Sequence, residues 1–217
     1  MSDALLDSLA SGLDQMRLQV TAQQQQQLID YVQLLARWNR IHNLTAVKSP
    51  PAMVTRHLLD SLSISPYLRG DSLLDVGAGA GLPGIPLAIT HPQLQVTLVD
   101  RVSKKTQFMS IAASTLGLGN VQVVHTRIEA LGGEPRFAMV TARAFAEVDV
   151  LCRLCQPWLA ADGRVLAMIG KALDHEQMES LRRLTAYTSP ENHKLCVPGE
   201  QGDRNLVILQ RCEAPQS

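Results

Sequence analysis

The sequence predicts an α/β fold: a Rossmann-like, seven-stranded and mostly parallel sheet that ends in an antiparallel hairpin, preceded by an N-terminal helical cap. Three observations predict it. After Gly70, short β-branched or leucine-rich runs alternate with helical stretches, as in a doubly wound sheet. The last two strand-like runs are joined by the polar turn PGEQGDR, which has no room for a crossover helix, so the final strand runs antiparallel. The first seventy residues show helical periodicity instead.

In the cap, Leu28, Val32, Leu35 and Trp38 recur at steps of three or four between Gln23 and Trp38, with Thr21 as the capping residue. The glutamine run Gln23 to Gln27 reads as the solvated start of that helix. A second amphipathic segment, Ala52 to Leu62, follows the Pro50-Pro51 break. The expected strands are Ser72 to Val76, Gln95 to Asp100, Val121 to His125, Ala138 to Thr141, Arg164 to Ile169, His193 to Val197 and Asn205 to Gln210. This divides the chain into a helical cap over residues 1–70 and a sheet domain over residues 71–217.

A chain of 217 residues that is 46% hydrophobic buries a substantial core. No apolar run approaches the ~18 residues of a membrane span, and Met1 to Ala10 carries Asp3 and Asp7 where a secretory signal would be basic then apolar, so a cytosolic protein is expected, and with no evident extra apolar face a monomer. Twenty basic residues balance twenty acidic ones, which excludes a basic arm gripping nucleic acid by charge alone. Cys152 and Cys155 form a C-x-x-C pair inside a helical pattern with no second pair at zinc-like spacing, and read as buried thiols.

The strongest local signal is Leu73-Leu74-Asp75-Val76-Gly77-Ala78-Gly79-Ala80-Gly81-Leu82-Pro83-Gly84, a strand entering a glycine turn and then a helix. Gly77 and Gly79 permit positive φ and a close approach of backbone to ligand, and Pro83 suits a first helical turn. A pyrophosphate site would read G-x-G-x-x-G, but here the spacing is G-x-G-x-G and Leu82 holds the third place, which favours a methyl-donor site over a dinucleotide site. Asp100 ends the next strand, where a carboxylate accepts hydrogen bonds from ribose hydroxyls. Ile128 and Glu129 follow the third strand, at the level of an adenine. Arg143 ends the fourth, where a charge in an apolar stretch needs a partner: a ligand anion, or Glu147 or Asp149 in a purely structural pairing.

These residues, together with Trp38-Asn39-Arg40-Ile41-His42-Asn43-Leu44-Thr45 and Arg56-His57-Leu58-Leu59-Asp60-Ser61-Leu62, closely resemble the ribosomal RNA small-subunit methyltransferase G family, also called glucose-inhibited division protein B. The resemblance covers nearly the whole chain. It implies an S-adenosylmethionine-dependent methyltransferase fold and methyl transfer from S-adenosylmethionine to N7 of one guanine in the decoding region of 16S ribosomal RNA. It implies cofactor contacts at Gly77, Leu82, Ile128, Glu129 and Arg143, with Asp100 at the ribose position and Gly79 in the same turn. Arg143 is then the positioning residue for catalysis.

The reaction fits what is missing. Neither an Asn/Asp-Pro-Pro-aromatic loop nor a cysteine nucleophile stands at the fourth strand end, so the acceptor needs no activation, and guanine N7 has a lone pair that is already nucleophilic. On this reading Asn39, Arg40, Asn43, Arg56 and His57 line the RNA side of the cleft, although Arg56 and His57 could instead pair with Asp60 on their own helix. A partly assembled small subunit is a more natural substrate than naked RNA for a neutral enzyme. The chain departs from the family pattern at Ala142, where serine is common, and at Ile169-Gly170-Lys171, where Lys-Gly is usual. The rival readings are a nicotinamide-dependent oxidoreductase and a non-catalytic, cofactor-binding assembly factor.

Overall fold

A computed structural model describes residues 2–132, 137–145 and 147–212 of the chain; Ala146 and the last five residues of the expected sheet domain lie outside the described residues. The alternating texture after Gly70 resolves into strands β1 (Ser72–Val76), β2 (Gln95–Asp100), β3 (Val121–His125), β4 (Phe137–Arg143), β5 (Leu159–Ile169), β6 (Glu191–Lys194) and β7 (Asn205–Gln210). They form one sheet in the order β3-β2-β1-β4-β5-β7-β6. The first five are parallel, and β7 inserts antiparallel between β5 and β6.

The pleat explains which residues each strand buries. Leu73, Val96, Leu98, Leu206 and Ile208 enter one apolar cluster, and their neighbours Leu74, Val99, Val207 and Leu209 enter the other, on the opposite face. Central strands are therefore buried on both sides and read as continuous apolar runs, whereas β3, at the sheet edge, is half-exposed.

Helices α1 (Ser2–Gln15) and α2 (Ala22–His42) are followed by a helical run made of α3 (Pro50–Met53), a π-helical turn (Val54–Leu59) and α4 (Asp60–Leu62). α1 was not expected from sequence, yet Leu5, Leu9 and Leu13 recur every four residues and all are buried. They join the same apolar cluster as Leu73 and Leu98, so cap and sheet share one core.

Thr21 caps α2 as expected, its side chain accepting from the Gln24 amide while Gln24 accepts from the Thr21 amide. The glutamine run is more than a solvated start. Gln24 also donates to the carbonyls of Ile89 and Thr90, and Gln27 donates to that of Leu116, stitching α2 to the sheet domain. Tyr31, fully buried on α2, donates to the Ala80 carbonyl at 2.7 Å and so fixes the glycine turn from the cap side.

The remaining helices are α5 (Gly84–Thr90), α6 (Ser103–Thr115), α7 (Val148–Cys155) and α8 (His175–Arg182). Cys152 and Cys155 are buried in the second cluster as free thiols, and burial pushes the Cys152 thiol up to about 12. Among the described residues, no group of His, Cys, Asp and Glu side chains is placed to hold a metal, and no helix is long and apolar enough to cross a membrane.

Two strands depart most from expectation along their length, and the first is β5, which begins at Leu159, paired with Phe137 of β4, and not at Arg164. β6 covers Glu191–Lys194, not His193 to Val197; beyond it the Leu195 amide still donates to the Arg204 carbonyl, and the Leu195 and Val197 side chains are buried in the first cluster.

Candidate active site

The carboxyl ends of β1, β4 and β5 open into a cleft of ≈ 490 Å³. Its floor is Gly77 to Ala80 with Leu82, one wall is Arg143, Ala144 and Met168 to Gly170, and the cap and hairpin close it with Leu44 to Val47, Arg56, His57, Asp60, Leu195, Arg204 and Asn205. This is the switch point of the sheet, where the chain leaves β1 for β2 on one side and β4 lies on the other, the usual ligand position in open α/β sheets.

The floor is built from the glycines. Gly77 has φ +67° and Gly79 φ +63°, conformations costly for other residues. The amides of Gly77 and Ala78 both donate to the Val99 carbonyl at the end of β2. At Gly77 an added Cβ would meet no atom of the described residues within 4 Å, so the space beside it is open cleft.

Asp100 is buried at the end of β2 beside the glycine turn and does not itself line the described cleft. Its carboxylate accepts from the Gly79 amide at 2.9 Å through one oxygen and from the Val102 amide at 2.8 Å through the other, with Lys105 Nζ at 3.6 Å. It thus braces the glycine turn and the start of α6 while keeping lone pairs for a further donor. Asp100→Ala is expected to cost about 1 to 3 kcal/mol in cofactor binding, as for lost hydrogen bonds to a charged group. Calorimetry that gave wild-type affinity would remove Asp100 from the site.

Beneath the turn, Asp75 is wholly buried, one carboxylate oxygen accepting from the Gly84 amide at 2.8 Å and the other without a hydrogen-bond partner among the described residues. Burial raises its carboxyl to about 7, against the opposing pull of the Gly84 amide and Arg143. A carboxyl raised from 3.8 to about 7 adds stability that is fully present below about pH 4 and is lost as pH rises through about 7. His57 acts in the opposite sense, because burial holds it at about 4, so its contribution is present above 6.5 and lost as pH falls through about 4. Asp75→Asn is therefore expected to remove a decline in stability between pH 4 and pH 7, read as the difference from wild type in denaturant midpoint at each pH. A difference that does not change with pH would show that Asp75 titrates normally.

Arg143 ends β4, and Ala144 after it takes the left-handed region at φ +56°, a strained turn for a residue with a Cβ. Its partner is neither Glu147 nor Asp149. Nη1 donates to Asp60 Oδ2 at 3.2 Å and to the Arg56 carbonyl at 3.2 Å. Asp60 Oδ1 accepts from Arg204 Nε at 3.0 Å, and Glu200 Oε2 lies 3.2 Å from Arg204 Nη2 and 3.3 Å from Arg56 Nε. Arg56 and His57 therefore do not pair with Asp60 within their own helical run. Local spacing favours that pair, but the buried Asp60 carboxylate faces inward to two arginines from other parts of the chain.

The expected RNA-facing residues separate. Arg56 and His57 line the cleft, Arg56 exposed and His57 buried. With His57 neutral, its Nδ1 donates to the Arg56 carbonyl and its Nε2 accepts from the Thr45 hydroxyl. Asn39 does not face RNA: it is buried, accepting from the Thr45 amide and donating to the Val47 carbonyl, so it shapes the loop that roofs the cleft. Arg40 is exposed in a separate groove with Leu5, Arg37 and Lys48, and Asn43 takes the left-handed cap of α2. Ile128 is buried in the cluster that holds Val76 and Val99, and Glu129 is exposed beside it; neither lines the described cleft. Ala142 is buried, Ile169 lines the cleft, and Lys171 is exposed outside it.

The sheet order, the reversed last strand and the glycine floor define an S-adenosylmethionine-dependent methyltransferase. In the solved structures the fold recurs in a 1,6-didemethyltoxoflavin-N1-methyltransferase from Burkholderia thailandensis, crystallised with S-adenosylhomocysteine (TM-score 0.57, 15% identity, covering 90% of this chain and 92% of that one). It recurs also in a SAM-dependent O-methyltransferase from Thermotoga maritima (TM-score 0.56, 15% identity, 73% of this chain and 66% of that one). The model of the rRNA small subunit methyltransferase G family matches residues 24–207, and the chain belongs to that family. It is 46% identical over 206 residues to the ribosomal RNA small subunit methyltransferase G of Marinobacter nauticus, covering 94% of each chain. It is 42% identical over 203 residues to that of Alteromonas mediterranea, covering 94% of this chain and 95% of the relative. The rival reading of a nicotinamide-dependent oxidoreductase is thereby set aside.

Proposed function

We propose that this methyltransferase transfers the methyl group of S-adenosylmethionine to N7 of a guanine in the decoding region of 16S ribosomal RNA, presented in the small subunit or an assembly intermediate. The observation that carries the acceptor chemistry is the lack of a free general base on the cleft wall among the described residues. Asp60 is held by two arginines, and His57 is kept neutral with both ring nitrogens engaged. Guanine N7 loses no proton before attack, so such a wall suits it, and catalysis rests on positioning and electrostatics.

The residues present fit the donor: an open glycine cradle at Gly77 and Gly79, Leu82 beside it, a carboxylate at Asp100 braced on the Gly79 amide, and the Arg143 guanidinium on the cleft wall. S-adenosylmethionine, when bound, supplies an electrophilic methyl group on a sulfonium centre. Gly77 and Gly79 let the backbone approach it, Asp100 accepts its ribose hydroxyls, Ile128 and Glu129 flank its adenine, and Arg143 takes its carboxylate. The cap over residues 1–70 serves the RNA side, with Arg56 and His57 at the cleft and Arg40 on the outer surface, and the enzyme works as a cytoplasmic monomer.

The test is incubation with methyl-tritiated donor and small subunits lacking the modification, followed by nucleoside analysis. Label in 7-methylguanosine is expected. Label in another nucleoside would overturn the acceptor assignment, and binding of donor without transfer would favour an assembly factor.

A further inference from the structure

Three guanidiniums and two carboxylates form a continuous chain across the cleft mouth, Arg143–Asp60–Arg204–Glu200–Arg56. It joins three parts of the fold: the end of β4, the helical run of the cap, and the segment entering β7. Asp60 is its centre. The side chain is only 5% exposed, and each oxygen takes one arginine, at 3.2 and 3.0 Å. Such a carboxylate cannot serve solvent, and it lines the cleft only from behind two cations.

The two arginines are not equivalent. Arg204 uses all three of its nitrogens, on Asp60, Glu200 and the Asp203 carbonyl. Arg143 uses Nη1 alone, for Asp60 and the Arg56 carbonyl; its Nε and Nη2 have no hydrogen-bond partner among the described residues, and the side chain is 24% exposed on the cleft wall. That free edge is the pair of parallel donors with which a guanidinium takes a carboxylate or phosphate bidentately.

We propose that Asp60 is a positioning residue of this enzyme: by holding Arg143 through Nη1 it turns the Nε/Nη2 edge to the anionic part of the methyl donor, and by holding Arg204 it ties the β6–β7 hairpin to the same carboxylate. Arg204 then acts on the substrate side, keeping the hairpin wall in place for RNA. The first half rests on the donor site proposed above and not on the acceptor atom, so it is read without RNA.

The test uses the full chain and S-adenosylmethionine by calorimetry, with subunit methylation kinetics alongside. Asp60→Asn offers one acceptor oxygen for two arginines and is expected to weaken donor binding about tenfold or more. The double variant Asp60→Asn/Arg143→Gln is expected to bind donor no worse than Arg143→Gln alone, because both changes act through one guanidinium. Full additivity, or wild-type donor affinity in folded Asp60→Asn, overturns the proposal. Arg204→Gln leaves the Asp60–Arg143 pair intact, so donor affinity is expected to stay within about twofold while KM for the subunit rises. An unchanged KM overturns the coupling to the hairpin, and if Asp60→Asn fails to fold, wild-type donor affinity in Arg143→Gln overturns the first half of the proposal. Failure of 7-methylguanosine to appear would leave these donor-binding results standing.

Discussion

Gly77→Val weakens S-adenosylmethionine binding by about 100-fold or more, equivalent to about 2.8 kcal/mol, and abolishes methyl transfer at ordinary donor concentrations. The reason is local. At φ +67° a β-branched residue is strained by about 1 to 2 kcal/mol, but its Cβ meets no atom of the described residues within 4 Å, so the core is not overpacked and the protein still folds. What the side chain fills is the floor of the cleft. Gly84 provides the contrast, since a Cβ there would collide with the side chains of Leu98 and Asp75, and Gly84→Val is expected to destabilise the fold outright. Calorimetry and thermal melting on the two variants separate the cases. A Gly77→Val protein that bound donor normally would show that the glycine turn is not the cradle.

Arg143→Ala lowers single-turnover methyl transfer by about 100- to 1,000-fold, the usual effect of removing a charged group that stabilises or orients the reacting centre. Its cost in stability is smaller, about 1 to 3 kcal/mol, the range for a hydrogen bond to a charged group. The ion-pair chain explains the difference. With Arg143 gone, Asp60 still holds Arg204, so the deletion strands no buried carboxylate. Denaturant unfolding measured beside the rates checks this, and a variant that unfolds without losing specific activity would make Arg143 a structural prop.

How much was legible in the sequence follows from which forces act locally. β1, β2, β3 and β7 fall where the apolar runs end at turn-forming residues, because a strand's pattern and its turn chemistry lie next to each other in the chain. The glycine turn was legible for the same reason: Leu73 to Gly84 carries the strand, the positive-φ positions and the helix start together. α1 is less legible, because its apolar stripe is only Leu5, Leu9 and Leu13 among mostly small and acidic residues, and only packing against the rest of the cap shows that they are buried.

The partner of Arg143 had no such local trace. Asp60 lies 83 residues away and Arg204 144 residues from Asp60, and no spacing rule connects them. Spacing rules instead suggested Arg56 with Asp60, and Arg143 with Glu147 or Asp149. Burial decides these cases: a carboxylate only 5% exposed takes the cations that the folded sheet brings to it, in preference to a neighbour on an exposed helix face. Asn39 was misplaced for a related reason. A polar residue near a helix end reads as solvated, but here it satisfies the backbone of the loop that follows.

On the proposed function, the cleft floored by the glycine turn and walled by Arg143 is the donor site. Amide hydrogen exchange with and without S-adenosylhomocysteine tests it most directly, because the method surveys the whole chain. Protection is expected in peptides covering Gly77 to Leu82, Asp100 to Val102, Ile128 to Glu129 and Arg143 to Ala144, with little change in the groove of Leu5, Arg40 and Lys48. Protection confined to that groove, or absent from the glycine turn, would contradict the assignment.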